Sequence, residues 1–323
     1  MKKIAVFTSG GDSPGMNACL RAVVRTGIRN DLEVFGIMEG YKGMIAGEFR
    51  QMDTQSVSNI IQRGGTILKS ARCKAFITKE GRKKAYLQLK KVGIDGIVAI
   101  GGDGTFTGAD IFMKEYPDIK IVGCPGTIDN DLYGTDFTIG FDTAVNTAMD
   151  AIDRIKDTAN SHNRLFFVEV MGRDVGYIAL RSGIATGAEA VLLPERHTDY
   201  DRLITEIEKN YRLKNRSIIV VVAEGDEMGG ALKVAKTVGK KFKELDIRVS
   251  ILGHIQRGGR PTALERVNAS WMGMEAVKAL LEGDKGVMIG MVNNKVKRTT
   301  FEKAIKNKKT MNPYLVELAH LLA

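Results

Sequence analysis

The sequence predicts an α/β fold with mainly parallel sheets, and three features lead there. Short apolar, β-branched runs alternate with stretches of helical periodicity, the pattern of repeated strand–helix–strand units. Several of those runs stop at Gly-rich loops that carry carboxylates, the position where open α/β sheets hold their ligands. The chain has 323 residues, enough for two α/β units rather than one.

In chain order, the runs 3–8, 33–38, 96–100, 120–124, 165–170, 217–223, 248–252 and 287–292 read as strands. Between them, 18–29, 143–158, 177–186, 231–245 and 263–281 have helical spacing, and most come after Asn, Asp, Gly or Pro, residues that favour helix starts. Crossovers between parallel strands are expected to be right-handed. No fixed-period repeat or long linker divides the chain. The least committed stretch is 132–142, between an acidic loop and a long helical pattern, and the first unit is expected to end before it.

Composition narrows the function. The formal charge of +10 favours anionic partners: nucleic acid, a membrane surface or phosphorylated metabolites. The basic residues are dispersed, and their small clusters, 295–298 and 306–309, have no interleaved base-stacking aromatics, which argues against nucleic acid. Cys19, Cys73 and Cys124 form no Cys-x-x-Cys pair and only four His are present, so neither a zinc site nor a disulfide framework is expected. The apolar run after Met1–Lys3 is too short for a signal or a membrane span, and a cytoplasmic protein without membrane contact is expected.

Three loops carry the chemistry. Thr8–Asn17 joins the first strand to the first helix and contains three glycines, so backbone amides can approach an anion at a helix N-terminus. It is neither a Walker loop nor Gly-x-Gly-x-x-Gly, and alone it is also what a tight strand-to-helix turn looks like. Gly101–Thr105 flanks Asp103 with glycines, leaving room for a phosphate and a hydrated Mg²⁺. Pro125–Asp131 crowds Asp129 and Asp131 into a loop after an apolar run. Asp129 is a candidate base toward a hydroxyl, Thr127 a donor to phosphate, and Asp131 a support for the loop or for a metal's water. Positioning, charge neutralisation and a base near the attacking hydroxyl are the demands of phosphoryl transfer.

With the further segments Gln62–Thr66, Ser70–Arg72, Ser161–Arg164, Val168–Arg173, Ala223–Gly225 and Leu252–Gly259, the chain resembles ATP-dependent 6-phosphofructokinase of the bacterial type over nearly its whole length. The resemblance implies two similar three-layer αβα lobes: an ATP lobe of residues 1–140 plus about 253–304, and a fructose 6-phosphate lobe of about 141–252 plus 305–323. It assigns Gly11, Arg72, Cys73, Gly102, Asp103, Gly104 and Thr105 to ATP, with Asp103 on Mg²⁺. Asp129 would take the proton of the sugar's 1-hydroxyl beside Thr127. Arg72 and Arg173 would neutralise the transferred phosphoryl, a task suited to the guanidinium fork. Met171, Gly172 and Glu224 would line the sugar, and Arg164, Arg248, His254 and Arg257 would receive its 6-phosphate. Arg164 and Arg248 would serve a neighbouring subunit, so a homotetramer with shared active sites is implied. Each also has a plainer reading: Arg164 and Arg248 stand at strand starts, where solvated basic residues are common, and Glu224 merely ends a strand.

Relatives that use pyrophosphate carry Asp where Gly104 stands and Lys where Gly126 stands; two glycines here favour ATP. Regulation is the open part. Arg21 and Arg25 lie one helical turn apart, either as a paired anion site or as a solvated basic face. The resemblance implies an ADP or phosphoenolpyruvate effector there, with Lys156, Gly187, Glu189, Lys214 and Arg216. Thr54 stands where Arg is usual, and Leu213 and Asn215 interrupt a commonly basic segment. Two alternatives remain at this stage: another kinase with a Gly-Gly-Asp-Gly loop acting on a dinucleotide or lipid, and a non-catalytic phosphometabolite sensor.

Overall fold

The computed structural model describes residues 1–322 apart from 163, 198, 215–217, 228, 243 and 244, and gives no side-chain description at 162, 202 and 210–214. The chain divides into two units, Met1–Thr143 with Arg257–Lys309, and Ala144–Gln256 with Thr310–Ala323. In order, the elements are β1 (Lys3–Thr8), α1 (Met16–Arg29), β2 (Glu33–Ile37), α2 (Tyr41–Ala46), β3 (Phe49–Met52), α3 (Lys79–Val92), β4 (Gly96–Gly101), α4 (Asp103–Glu115), β5 (Lys120–Thr127) and β6 (Ile139–Gly140). Next come α5 (Phe141–His162), β7 (Leu165–Val170), α6 (Tyr177–Thr186), β8 (Ala190–Leu192), α7 (Tyr200–Lys214), β9 (Ile218–Ala223), α8 (Ala231–Gly239) and β10 (Ile247–Ile251). The chain closes with α9 (Ala263–Leu281), β11 (Val287–Val292), β12 (Lys295–Thr300), α10 (Phe301–Lys306) and α11 (Pro313–Leu322).

The first unit is built on an eight-stranded sheet of order β12-β11-β5-β4-β1-β2-β3, with β6 paired to β5. Only its edges, β2 with β3 and β11 with β12, pair antiparallel. Alternation along the central strands feeds two cores. Ile4, Val6, Val98, Ile100 and Val122 join Leu20 and Val24 of α1 and Met272 and Ala276 of α9. The intervening Ala5, Phe7, Ile97, Ala99 and Ile121 join Phe106 and Phe112 of α4 and Phe301 of α10. Phe106 and Phe301 stack at 4.9 Å. Each such fully buried aliphatic or Phe side chain contributes about 1.5–3 kcal/mol before entropy is counted.

The second unit has a four-stranded parallel sheet, β10-β7-β9-β8. One face, with Leu165, Phe167, Val220 and Val222, packs under Leu203 and Ile207 of α7 and Val234 and Val238 of α8. The alternate residues Val168, Ile219 and Val221 are buried as well. No helix among the described residues is long and apolar enough to cross a membrane.

Several expectations change. The stretch 132–142 is not uncommitted. Asp136 N–H donates to the Met291 carbonyl at 2.7 Å and Asp136 Oδ2 accepts from Asn293 N–H at 2.8 Å, so the segment is pinned to the β11–β12 hairpin. The helix expected over 231–245 stops at Gly239, a residue of low helix propensity, although Phe242 and Leu245 beyond it still pack into the same core. The acidic loop after β4 is not a loop beyond Gly102, because Asp103 is the first residue of α4. The basic cluster 295–298 belongs to the edge strand β12, entered through Asn293 and Asn294, both at positive φ.

Candidate active site

In the first unit β4 and β5 pair in parallel, Ile100 opposite Cys124 and Gly101 opposite Pro125. Their carboxyl ends therefore leave the sheet at the same edge, with Asp103 just after one and Asp129 just after the other. β1 lies on the other side of β4, which brings the Ser9–Asp12 turn to that edge too. The Ser9 amide donates to the Ile100 carbonyl at 3.0 Å. Glycine is required at 101, where a Cβ would stand 2.7 Å from the Ser9 carbonyl oxygen, whereas one on Gly102 would make only an ordinary contact with Thr127 Cβ at 3.7 Å.

Asp103 is exposed at the N-terminus of α4, where the helix dipole favours negative charge. Its Oδ1 accepts from the Gly104 amide at 2.7 Å. A Cβ on Gly104 would meet nothing within 4 Å, so open space lies beside this carboxylate. A hard cation with few protein ligands and phosphate oxygens fits such a place. Thr105 is buried, its carbonyl accepting from Tyr41 Oη at 2.6 Å.

Thr127 ends β5 and orients the Ile128–Asp131 turn. Its Oγ1 accepts from the Asp129 amide at 3.2 Å and its carbonyl accepts from Thr138 Oγ1 at 2.6 Å. Asp129 is buried and Asp131 half-buried. Between them Asn130 takes φ +56 and is held by Lys309 Nζ on its Oδ1 at 2.8 Å and by its own Nδ2 on the Asp136 carbonyl at 3.0 Å. Gly126 has a different meaning from Gly104. A Cβ there would lie 2.9 Å from Met16 Cε and 3.1 Å from the Gly101 nitrogen, so local packing disfavours any side chain at this position. Arg257 lies over the first turn: its guanidinium occupies the space a Gly11 side chain would need and its Nη1 donates to the Asp12 carbonyl at 3.3 Å. Arg72 is exposed just ahead of a 3-10 turn at Lys74–Ile77, and Cys73 packs partly buried against the α4 core.

A buried carboxylate supports this unit from beneath. Glu265, on α9, accepts from the Thr143 amide and hydroxyl, both at 3.3 Å, and its Cγ fills the space beside Gly15 at the head of α1. Burial pushes its pKa up to about 7.

In the second unit Met171, Gly172 and Arg173 form a turn after β7. Gly172 stands at φ +151 and Arg173 at φ +56, an uncommon conformation for a side chain with Cβ,. Glu224, at the end of the adjacent β9, holds that turn: its Oε1 accepts from the Arg173 amide at 2.6 Å and the Gly172 amide at 3.3 Å. Gln256 Oε1 accepts from the Met171 amide at 3.2 Å. Arg164 and Arg248 are brought together by Asp246, a carboxylate that no sequence motif singles out. Asp246 Oδ2 accepts from Arg164 Nε at 2.6 Å, and its Oδ1 lies 3.0 Å from Arg248 Nη2. The Arg164 hydrogen bond, helped by the Arg248 charge, holds the Asp246 carboxyl below its ordinary pKa. Asp246 and Arg248 are two apart along an extended segment and so share a face, which is the signal that could have found it. His254 is part of the 3-10 turn Gly253–Arg257.

Of the candidate effector residues, Arg21 and Arg25 belong to the first unit and Lys156, Gly187 and Glu189 to the second. Arg21 and Arg25 are half-buried rather than solvated, and Arg25 Nε is buried with no hydrogen-bond partner among the described residues. Burial, and then the Arg25 charge, lower the Arg21 pKa. Lys156 Nζ instead caps the end of α6, donating to the Thr186 and Gly187 carbonyls. Glu189 Oε2 accepts from the Ile219 amide at 2.7 Å. The Lys214 side chain and Arg216 lie outside the described residues.

An anion cradle and paired carboxylates at the ends of parallel strands, with clustered arginines elsewhere, define a phosphoryl-handling α/β protein. The profile described as Phosphofructokinase matches residues 3–280, and the chain belongs to the phosphofructokinase family. It is 55% identical over 322 residues to an ATP-dependent 6-phosphofructokinase of Cytophaga hutchinsonii, covering 100% of this chain and 98% of that one. It is 53% identical to ATP-dependent 6-phosphofructokinase 1 of Thermus thermophilus, with 100% of both chains covered. Among solved structures, phosphofructokinase from Saccharomyces cerevisiae superposes with a TM-score of 0.90 at 40% identity, covering 95% of this chain and 45% of the yeast chain. A pyrophosphate-dependent phosphofructokinase from Marinobacter aquaeolei shares the fold, with a TM-score of 0.86 at 22% identity, covering 97% of this chain and 86% of that one.

Proposed function

We propose that this chain is an ATP-dependent 6-phosphofructokinase that transfers the γ-phosphoryl of ATP to the 1-hydroxyl of fructose 6-phosphate. The adjacency of the Asp103 and Asp129 segments at neighbouring parallel strand ends carries the reading. Asp129 takes the proton of the 1-hydroxyl, the freed oxygen bonds to the γ-phosphorus, and the bond from that phosphorus to the β,γ-bridging oxygen breaks. Fructose 1,6-bisphosphate and ADP leave. Asp103, open on the Gly104 side, would hold Mg²⁺, which when bound neutralises phosphate charge.

Gly11, Arg72, Cys73 and Gly102–Thr105 bind the nucleotide. Met171, Gly172, Arg173 and Glu224 serve the sugar, with Glu224 acting through the backbone turn it supports. Arg164, Arg248, His254 and Arg257 serve the 6-phosphate, and Arg72 and Arg173 the transferred group. The enzyme is cytoplasmic and works as a homotetramer in which Arg164 and Arg248 complete a neighbour's site; solution scattering or sizing at four times 35.3 kDa tests that assembly. An ADP or phosphoenolpyruvate site at Arg21 and Arg25 would be of altered affinity or preference, because Thr54 stands where Arg is usual, Lys156 where Arg is common, and Leu213 and Asn215 interrupt a commonly basic segment. A coupled assay decides the activity: ADP release must depend on fructose 6-phosphate, and a panel with dinucleotide and lipid acceptors must be inert. ADP release that ignores fructose 6-phosphate would overturn the assignment.

A further inference from the structure

Arg164 and Arg248 arrive at the end of the second sheet by different routes. Arg164 immediately precedes β7 and its carbonyl accepts from the Ile218 amide at 3.1 Å. Arg248 lies on β10, which pairs with β7 in parallel, Ile247 opposite Leu165. Two guanidinium groups on neighbouring strands repel, and each long side chain has several rotamers to lose when it binds an anion. Asp246 answers both problems. Its carbonyl accepts from the Leu165 amide at 3.2 Å, fixing its backbone between the strands. Its carboxylate bonds Arg164 through Nε at 2.6 Å and Arg248 through Nη2 at 3.0–3.2 Å. Arg164 spends only its Nε on that bond, which leaves its Nη groups for an incoming anion.

The side chains of Arg164, Asp246 and Arg248 are 25%, 41% and 54% exposed. Ion pairs this exposed add little to fold stability, so the triad is poorly explained as a staple. It leaves two forks ordered and a net charge of +1 facing solvent, the arrangement that suits a phosphate monoester. Resting on the reading of Arg164 and Arg248 given above, we propose that Asp246 is a positioning residue that holds these two arginines as a matched pair for the phosphate of a sugar monophosphate. Asp246 also repels that phosphate, but salt screens one exposed carboxylate over about 8 Å. Loss of the ordered pair outweighs the relief.

The test is D246N in the full chain, assayed against fructose 6-phosphate and ATP separately. The KM for fructose 6-phosphate should rise about tenfold while kcat and the KM for ATP stay within about twofold. D246E should recover most of the loss. On a background carrying both R164A and R248A, D246N should add less than about twofold, since both partners it positions are gone. Calorimetry with fructose 6-phosphate, and fructose as control, reads the same weakening without turnover. An unchanged or lower KM in D246N, or equal losses for both substrates with a lowered Tm, overturns the proposal. Wild-type binding without turnover contradicts only the catalytic reading; wild-type chain that binds no fructose 6-phosphate overturns both.

Discussion

The two units handle anionic chemistry by different means. The first works with backbone: glycines at the ends of β1 and β4, an acidic residue opening α4, and the Thr127–Asp129 turn held by Thr138. Its functional groups sit on or beside a central sheet buried on both faces. The second works with arginines at strand ends and a strained turn, held in place by the carboxylates of Asp246 and Glu224. A backbone cradle is ordered once the fold forms, whereas an arginine site has to be ordered by counter-ions. Substitutions in the first unit should therefore act on turnover, on nucleotide affinity or on folding, and substitutions in the second on affinity for the phosphorylated sugar.

The largest effect is expected at Asp129. D129N removes the base but keeps the shape, and kcat should fall by about 10²–10⁴ in a coupled ADP assay. Next come R164A and R248A. Each removes a charge-assisted contact, and the KM for fructose 6-phosphate should rise roughly ten- to a hundredfold with the KM for ATP little changed. Raised salt should narrow the difference from wild type.

Two glycines then separate packing from ligand space within the first unit. G126A places a methyl group against Met16 and the Gly101 backbone and should cost about 1–3 kcal/mol of stability, seen as a lowered Tm. G104A meets nothing and should leave Tm within about 1 °C, since substitutions away from packed features are nearly neutral, while raising the KM for ATP. Should both variants lose stability equally, the distinction between the two glycines is wrong.

The smallest effect is at Glu265. Its folded pKa of about 7 lies above an unfolded carboxyl near 4.3,. The folded state therefore holds the proton more tightly, and the stabilisation from this group is full below about pH 4.3 and lost as pH rises to about 7. E265Q cannot ionise, so the Tm difference between variant and wild type should grow in the variant's favour across that window. A pH-independent difference would contradict the buried, proton-holding role.

Most of the sheet was legible in the sequence because its central strands are continuous apolar runs. The readings at 3–8, 165–170 and 287–292 coincide with β1, β7 and β11. Among the elements that escaped, α4, α7 and α11 were not read as helices at all, and three others have weak apolar signal. β3 is a four-residue edge strand with exposed Arg50 and Gln51, and β12 is so basic that it resembled a charge cluster. α3 is dense in Lys and Arg, although its Thr78 cap and the Gly93 that ends it were both visible. The loops with special backbone were readable at once, since Gly, Asp and Pro announce themselves. What could not be read was pairing across the chain: Asp246 with Arg164, Glu224 with the Gly172–Arg173 amides, Gly126 against Met16. Those depend on strand order, which composition and periodicity do not encode.

Phosphorus NMR of the reaction, run in parallel with ATP and with pyrophosphate as donor, tests the central claim most directly. The account predicts loss of the ATP γ signal and growth of a second sugar-phosphate signal only when fructose 6-phosphate is present, with pyrophosphate left intact. Consumption of pyrophosphate, or of ATP without a sugar bisphosphate, would contradict it.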